Sequence, residues 1–175
     1  ERIESAINRA SSKDTAGYQE VLYEGYGPHG IAMMVECATD NPTRSVANLR
    51  MIFSRNNGSL ASTGSIAFMF ERKGIFKVAA DKIPNLDEFE LEMIDHGLEE
   101  IEQQDQEVFI YTSFQDFGKM HKALEEKGIE AINTELQYIP TTTKELSETD
   151  AKEVQDLVDK LEEDDDVQSV FHSMA

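Results

Sequence analysis

The sequence predicts an α+β fold of two domains, one set inside the other. Two observations carry that expectation. Residues 75–140 show the element order βαββαβ, the split-βαβ or ferredoxin-like arrangement. The flanks are each incomplete: residues 1–74 read as ββαβ behind a short helix, and residues 141–175 supply one helix and one strand. A lone αβ unit cannot bury its own apolar face. Joined, 1–74 and 141–175 complete a sheet-plus-helices domain, ββαβ…αβ, with 75–140 inserted as the second domain.

Taken in order, Ile3, Ala6, Ile7 and Ala10 recur at helical spacing, so residues 1–11 read as a helix. No capping residue precedes them, which predicts a helix cut through its start and a chain that is part of a longer protein. A polar linker follows at 11–15. Residues 19–25 and 31–37 read as two strands of a hairpin, joined by the turn cluster Gly25-Tyr26-Gly27-Pro28-His29-Gly30. Asn41-Pro42 starts a helix, with Asn41 as N-cap and Pro42 at the first helical position. Val46, Leu49 and Phe53 form its inner stripe, and Gly58 is expected to stop it. Residues 58–65 read as a small-residue loop, 66–70 as a strand, and Lys73-Gly74 as a turn.

In the insert, 75–80 reads as a strand and about 87–96 as a helix with Phe89, Met93 and Ile94 inward. Strands follow near 100–103 and 108–113. Ser113 and Asp116 open a helix whose stripe is Phe117, Met120, His121 and Leu124, ended by Gly128. Residues 129–139 form its last strand, closed by Pro140. Beyond it, Ser147 and Asp150 form a capping box for a helix with Ala151, Val154, Val158 and Leu161 inward, and 167–171 is the final strand.

Composition bounds the function. The chain has 175 residues, 16 Lys and Arg against 35 Asp and Glu, and a formal net charge of -19. Such a balance argues against a strong stand-alone phosphate binder, which needs clustered Lys and Arg. The charge is uneven, however. Residues 1–74 carry eight of each sign, 75–140 carry 5 basic and 16 acidic residues, and 141–175 carry 3 and 11. No apolar run approaches the ~20 residues of a membrane helix, so no membrane partner is expected. The single cysteine, Cys37, excludes a disulfide framework and lies in an apolar strand, where it reads as core.

Gly25-Tyr26-Gly27-Pro28-His29-Gly30 matches G-x-G-x-x-G, but a dinucleotide fingerprint must run from a strand into a helix. Here an apolar strand follows, so a turn is expected, with Tyr26, Pro28 and His29 as candidate partner contacts. The four histidines lack metal-site spacing, and His121 is expected in the core. The acidic run Glu162–Asp166 reads as a solvated helix end that faces a partner. No acid–base–nucleophile set and no cofactor motif emerge, so no enzyme, metal or cofactor is expected. Arg44, Asn48, Met51 and Arg55 share one helix face, with Arg50 to one side and Arg72 and Lys73 further along the chain. These five basic residues are the candidate nucleic-acid contacts, because guanidinium forks suit phosphate.

Residues 23–32 (Tyr-Glu-Gly-Tyr-Gly-Pro-His-Gly-Ile-Ala) and 35–41 (Val-Glu-Cys-Ala-Thr-Asp-Asn) resemble the signature of the YebC family. So do Arg44 with its helix, Gly64-Ser65-Ile66, Phe70, Ile139-Pro140-Thr141-Thr142 and Asp165-Asp166-Val167-Gln168. Ala61 stands where the pattern expects glycine, and Ser173 where it expects asparagine. The resemblance implies a basic, helical N-terminal domain ahead of two further domains, the third inserted in the second. It implies a cytoplasmic, probable DNA-binding transcriptional regulator, or a ribosome-associated translation factor that relieves stalling at proline-rich stretches. Promoter DNA or ribosomal RNA would then be the partner, bound mainly through the basic domain, with ribosomal or transcription proteins as further partners. The alternative is an acidic protein-interaction module for a basic partner. An enzyme or small-molecule sensor built on the insert would rest on fold analogy alone.

Overall fold

A computed structural model describes residues 17–175; the helix and linker expected at 1–15 lie outside them. The chain divides into two compact units, 1–71 with 139–175, and 72–138. The sequence reading puts these boundaries at 74/75 and 140/141.

The first unit holds a four-stranded antiparallel sheet of order β3-β1-β2-β8. Its strands are β1 (Gln19–Tyr26), β2 (Ala32–Thr39), β3 (Ser59–Ala61) and β8 (Val167–His172). Helices α1 (Pro42–Arg55) and α4 (Glu148–Glu162) cover one face. Met33, Val35 and Cys37 alternate along β2 and meet Leu49 and Phe53 of α1 and Val154, Leu157, Val158 and Leu161 of α4 in one buried cluster. Leu157 was missing from the expected stripe; it lies three residues beyond Val154 and four before Leu161, squarely on the same face. Val46 is only half-buried, and Ser45 takes its place in the interior.

Both expected caps of this unit form. Asn41 accepts from the Arg44 N–H at 3.1 Å, and Ser147 accepts from the Asp150 N–H at 3.1 Å. Gly58 is not the left-handed stop of α1. Asn57 adopts φ 61 instead, and the Gly58 N–H bonds the Phe53 carbonyl at 2.7 Å, closing the helix. Gly58 is required for another reason: a Cβ there would come within 2.5 Å of the Tyr26 carbonyl.

Between the expected and observed elements, three differences cluster at residues 59–74. The small-residue loop contains β3, which pairs with β1 through Glu24↔Ala61, Gly25↔Leu60 and Tyr26↔Ser59. The strand expected at 66–70 is a short 3-10 turn, Ala67–Met69. Lys73-Gly74 is not a turn but the middle of β4 (Phe70–Ala79). Gly74 is there because Phe117 lies against it; a Cβ would sit 2.2 Å from the ring.

The second unit has sheet order β5-β6-β4-β7, with β5 (Leu98–Gln104), β6 (Glu107–Ser113) and β7 (Asn133–Pro140). With α2 (Leu86–Met93) between β4 and β5 and α3 (Phe117–Glu126) between β6 and β7, this is the ferredoxin-like arrangement. Phe76, Val78, Val108 and Ile110 of the sheet bury against Phe89 and Met93 of α2 and Met120 and Leu124 of α3. Two residues expected inside are outside. Ile94 lies beyond α2 in a 3-10 turn and is exposed, and His121 projects to solvent, 3.9 Å from Glu125, with its ring face beside Phe76.

Candidate nucleic-acid interface

Asn41 and Pro42 set where α1 begins, and so which way its arginines point. The buried stripe Ser45, Leu49 and Phe53 turns Arg50, Met51 and Arg55 to solvent. Arg50 and Arg55 form no ion pair among the described residues.

Arg44 is different. Its Nη2 donates to Asp166 Oδ1 at 3.0 Å and to Asp40 Oδ1 at 3.0 Å, and its Nε donates to Asp166 Oδ2 at 3.3 Å. Asp166 is only 4 % exposed. The Ser45 hydroxyl lies 2.7 Å from both Asp166 Oδ2 and Thr39 Oγ1. The Asp166 carbonyl accepts from the Ala38 N–H at 2.8 Å. The two carboxylates hold the Arg44 guanidinium above its ordinary pKa, Asp166 contributing most. Arg44 therefore ties α1 to the start of β8, with its Nε and Nη2 donors already occupied. The last residue of the acidic run is an interior anchor, whereas Glu163 and Asp165 stay exposed.

Arg72 and Lys73 belong to the other unit, on β4. The Arg72 guanidinium lies 4.2 Å from the Phe114 ring centroid and 5.7 Å from that of Tyr138. Lys73 Nζ pairs with Glu99 at 3.1 Å. Of the candidate loop residues, Pro28 is buried and Tyr26 half-buried, which leaves His29 exposed at the tip. His29 has φ 63 and faces Asp150 and Glu153 of α4.

The G-x-G-x-x-G glycines have packing reasons. A Cβ at Gly25 would come within 2.8 Å of the Ser59 carbonyl and 2.9 Å of Phe53, and one at Gly27 within 2.8 Å of the Met33 sulfur. These positions admit neighbouring side chains and backbone, and the segment ahead is β2, not a helix.

Glu24, absent from the sequence-based candidates, holds the loop across the sheet face opposite the helices. Its carboxylate accepts from the Gly64 N–H at 2.6 Å and from the Ile66 and Ala67 N–H groups at 2.7 Å each. Burial alone raises its pKa, but the three backbone donors outweigh that and hold it below 4.5. Burial pushes the Cys37 thiol up to about 12, with help from Asp164, Asp166 and Glu36, so it stays protonated core.

Residues 39–44 and 165–168 meet at the Arg44–Asp166 contact, and residues 64–66 meet Glu24. The signature segments thus converge in space as well as following in order. The family model for the second and third domain of TACO1/YebC matches residues 18–174. The chain belongs to the TACO1/YebC family. Among its relatives, a "probable transcriptional regulatory protein" of Cytophaga hutchinsonii is 53 % identical over 100 % of this chain and 73 % of its own length. One of the same description from Myxococcus xanthus is 46 % identical over 100 % of this chain and 75 % of its own. The crystal structure of a conserved hypothetical protein from Aquifex aeolicus superposes with a TM-score of 0.77 at 32 % identity. It matches 91 % of this chain, which spans 65 % of that structure's length. Family membership thus supports a regulatory role. The two departures from the family pattern also find their places: Ala61 ends β3, and the Ser173 hydroxyl accepts from the Ala32 N–H at 3.0 Å.

Proposed function

We infer that this chain is the non-enzymatic, nucleic-acid-facing part of a cytoplasmic regulator of gene expression, acting on promoter DNA or on ribosomal RNA as a translation factor. The observation that carries this is the pair Arg50 and Arg55, exposed on α1 with no ion pair among the described residues, in a family whose relatives are named as regulators. Arg44 contributes by fixing the helix rather than by touching phosphate. Arg72 serves as a second, independent contact on its own unit. The net charge of -19 makes this contribution small by itself. The basic N-terminal domain that the family resemblance implies would supply most of the phosphate affinity.

Fluorescence anisotropy with labelled duplex DNA and with a ribosomal RNA fragment, over a range of salt, tests the reading. Weak binding with a steep salt slope is expected, and Arg50→Ala with Arg55→Ala should flatten that slope by about two units, one per lost phosphate contact. An unchanged affinity and slope in the double variant would remove the arginine face from the proposal. The RNA and DNA arms, run at matched salt, separate the two targets.

The acidic insert supports a second reading. Residues 72–138 carry 7 basic and 16 acidic residues. That surface suits a basic protein partner, such as a ribosomal or transcription protein, and salt-sensitive capture of such a partner by the insert would favour it.

A further inference from the structure

We propose that His29, Asp150 and Glu153 form a binding site for a divalent transition-metal ion of the Zn2+ class. The three residues are brought together by two segments of one unit that are far apart in sequence. His29 sits at the tip of the Pro28–Gly30 turn between β1 and β2, and Asp150 and Glu153 lie one turn apart on the same face of α4. His29 Nε2 is 3.5 Å from Asp150 Oδ1 and 3.4 Å from Glu153 Oε2, and one donor atom from each residue lies within 4.8 Å of the others.

These separations are longer than the 2.7–3.2 Å typical of an N–H···O hydrogen bond. They agree with a ligand–ligand edge instead. Zn–N and Zn–O bonds of about 2.0–2.2 Å around a tetrahedron set donors about 3.3–3.6 Å apart. The donor atoms all lie within 4.8 Å of one another, and rotation of the two partly exposed carboxylates brings them to such edges. One imidazole nitrogen with two carboxylate oxygens selects Zn2+ and its neighbours over Mg2+ and Ca2+, which prefer all-oxygen sites. Three protein donors leave the remaining position to water. Lys144 Nζ donates to the His29 carbonyl at 2.7 Å, so the turn is held through its backbone while the imidazole is left to the carboxylates. A bound ion would fasten the β1–β2 turn to the start of α4 and stabilise the fold by mass action.

The spacing of His29 from Asp150 hides this site from any search for short ligand motifs. The test is calorimetric titration of the 175-residue chain with Zn2+, alongside NMR of the histidine ring nitrogens. One ion per chain is expected, with the His29 Nε2 resonance displaced and no competition from Mg2+. His29→Gly, Asp150→Asn and Glu153→Gln should each weaken binding at least about tenfold. His29→Gly suits the left-handed backbone at φ 63, so its loss of binding would not come from misfolding. Zn2+ binding that leaves the His29 resonance in place, or that persists in His29→Gly and Glu153→Gln, would overturn the site and place the ion elsewhere. Absence of Zn2+ binding would overturn the proposal and reduce the cluster to a histidine–carboxylate contact.

Discussion

At Asp166 a buried carboxylate joins Arg44 and Ser45, whose hydroxyl also meets Thr39, so that the start of α1 and the start of β8 share one polar anchor. Asp166→Ala removes the buried acceptor shared by Ser45 and Arg44, leaving Ser45 to Thr39 and Arg44 to Asp40 alone. It should lower unfolding stability by about 1–3 kcal/mol, read as a shift in the urea midpoint. Arg44→Ala should move that midpoint in the same direction yet leave the salt slope of nucleic-acid binding unchanged; a flattened slope would return Arg44 to the phosphate contacts. Glu24 gives a pH prediction. Its folded pKa is depressed, so the unfolded chain binds the proton more readily, and the stabilisation is present above 4.5 and lost as pH falls through the folded value. Glu24→Gln should therefore be less stable at neutral pH and show a shallower loss below pH 4.5. His172 acts in a separate window. Burial holds its pKa down, and its neutral Nδ1 accepts from the Met174 N–H at 3.2 Å, so its contribution fades as pH drops below 6.5.

Within elements, a close contact at Gly74 decides how α3 seats on the second sheet. Phe117 stacks on Phe76 with centroids 4.9 Å apart, and the Gly74 backbone makes room for it. Gly74→Ala should cost about 1–3 kcal/mol by overpacking, with non-additive coupling to Phe117→Leu in thermal unfolding. Additivity would mean that the ring simply moves aside. The same position shows why some elements escape sequence reading. Lys73-Gly74 looks like a turn because glycine marks both turns and close approaches, and only the partner helix tells the two apart. Asn41 and Ser147 were legible because a cap is a local device, settled within three residues. The helical stripes were legible from period, except at Leu157, which the α4 stripe omits, at His121, which faces solvent, where Ile94 falls past the end of α2 and where Ser45 replaces Val46 in the interior. The candidate site was half legible. Arg50 and Arg55 follow from helical spacing, but the occupation of Arg44 depends on Asp166, 122 residues away. Glu24 escaped because a buried carboxylate that satisfies backbone N–H groups has no sequence period.

For the whole molecule, the insert is either a separable body or part of the proposed nucleic-acid surface. Unit 72–138 contains its own apolar cluster, and the first unit's cluster draws only on residues outside that range. The chain leaves and re-enters the first unit at neighbouring points: the Thr141 N–H bonds the Met69 carbonyl at 2.9 Å, and β4 and β7 are adjacent strands. A two-residue Asn-Gly turn is the geometry that joins adjacent antiparallel strands. Replacing 72–138 by such a turn should leave the first unit folded, with one cooperative thermal transition, and 72–138 alone should unfold cooperatively as well. Loss of cooperativity in both pieces would mean that the two cores are interdependent. The deletion also removes nine net negative charges while keeping Arg50 and Arg55. If the arginine face binds phosphate, DNA or RNA binding should survive in the deleted chain: the Arg72 contact leaves with the insert, but Arg50 and Arg55 stay and long-range repulsion falls. Capture of a basic protein partner should vanish with the insert. A deleted chain that folds but loses nucleic-acid binding would instead assign that binding to the insert, where Arg72 and Lys73 reside.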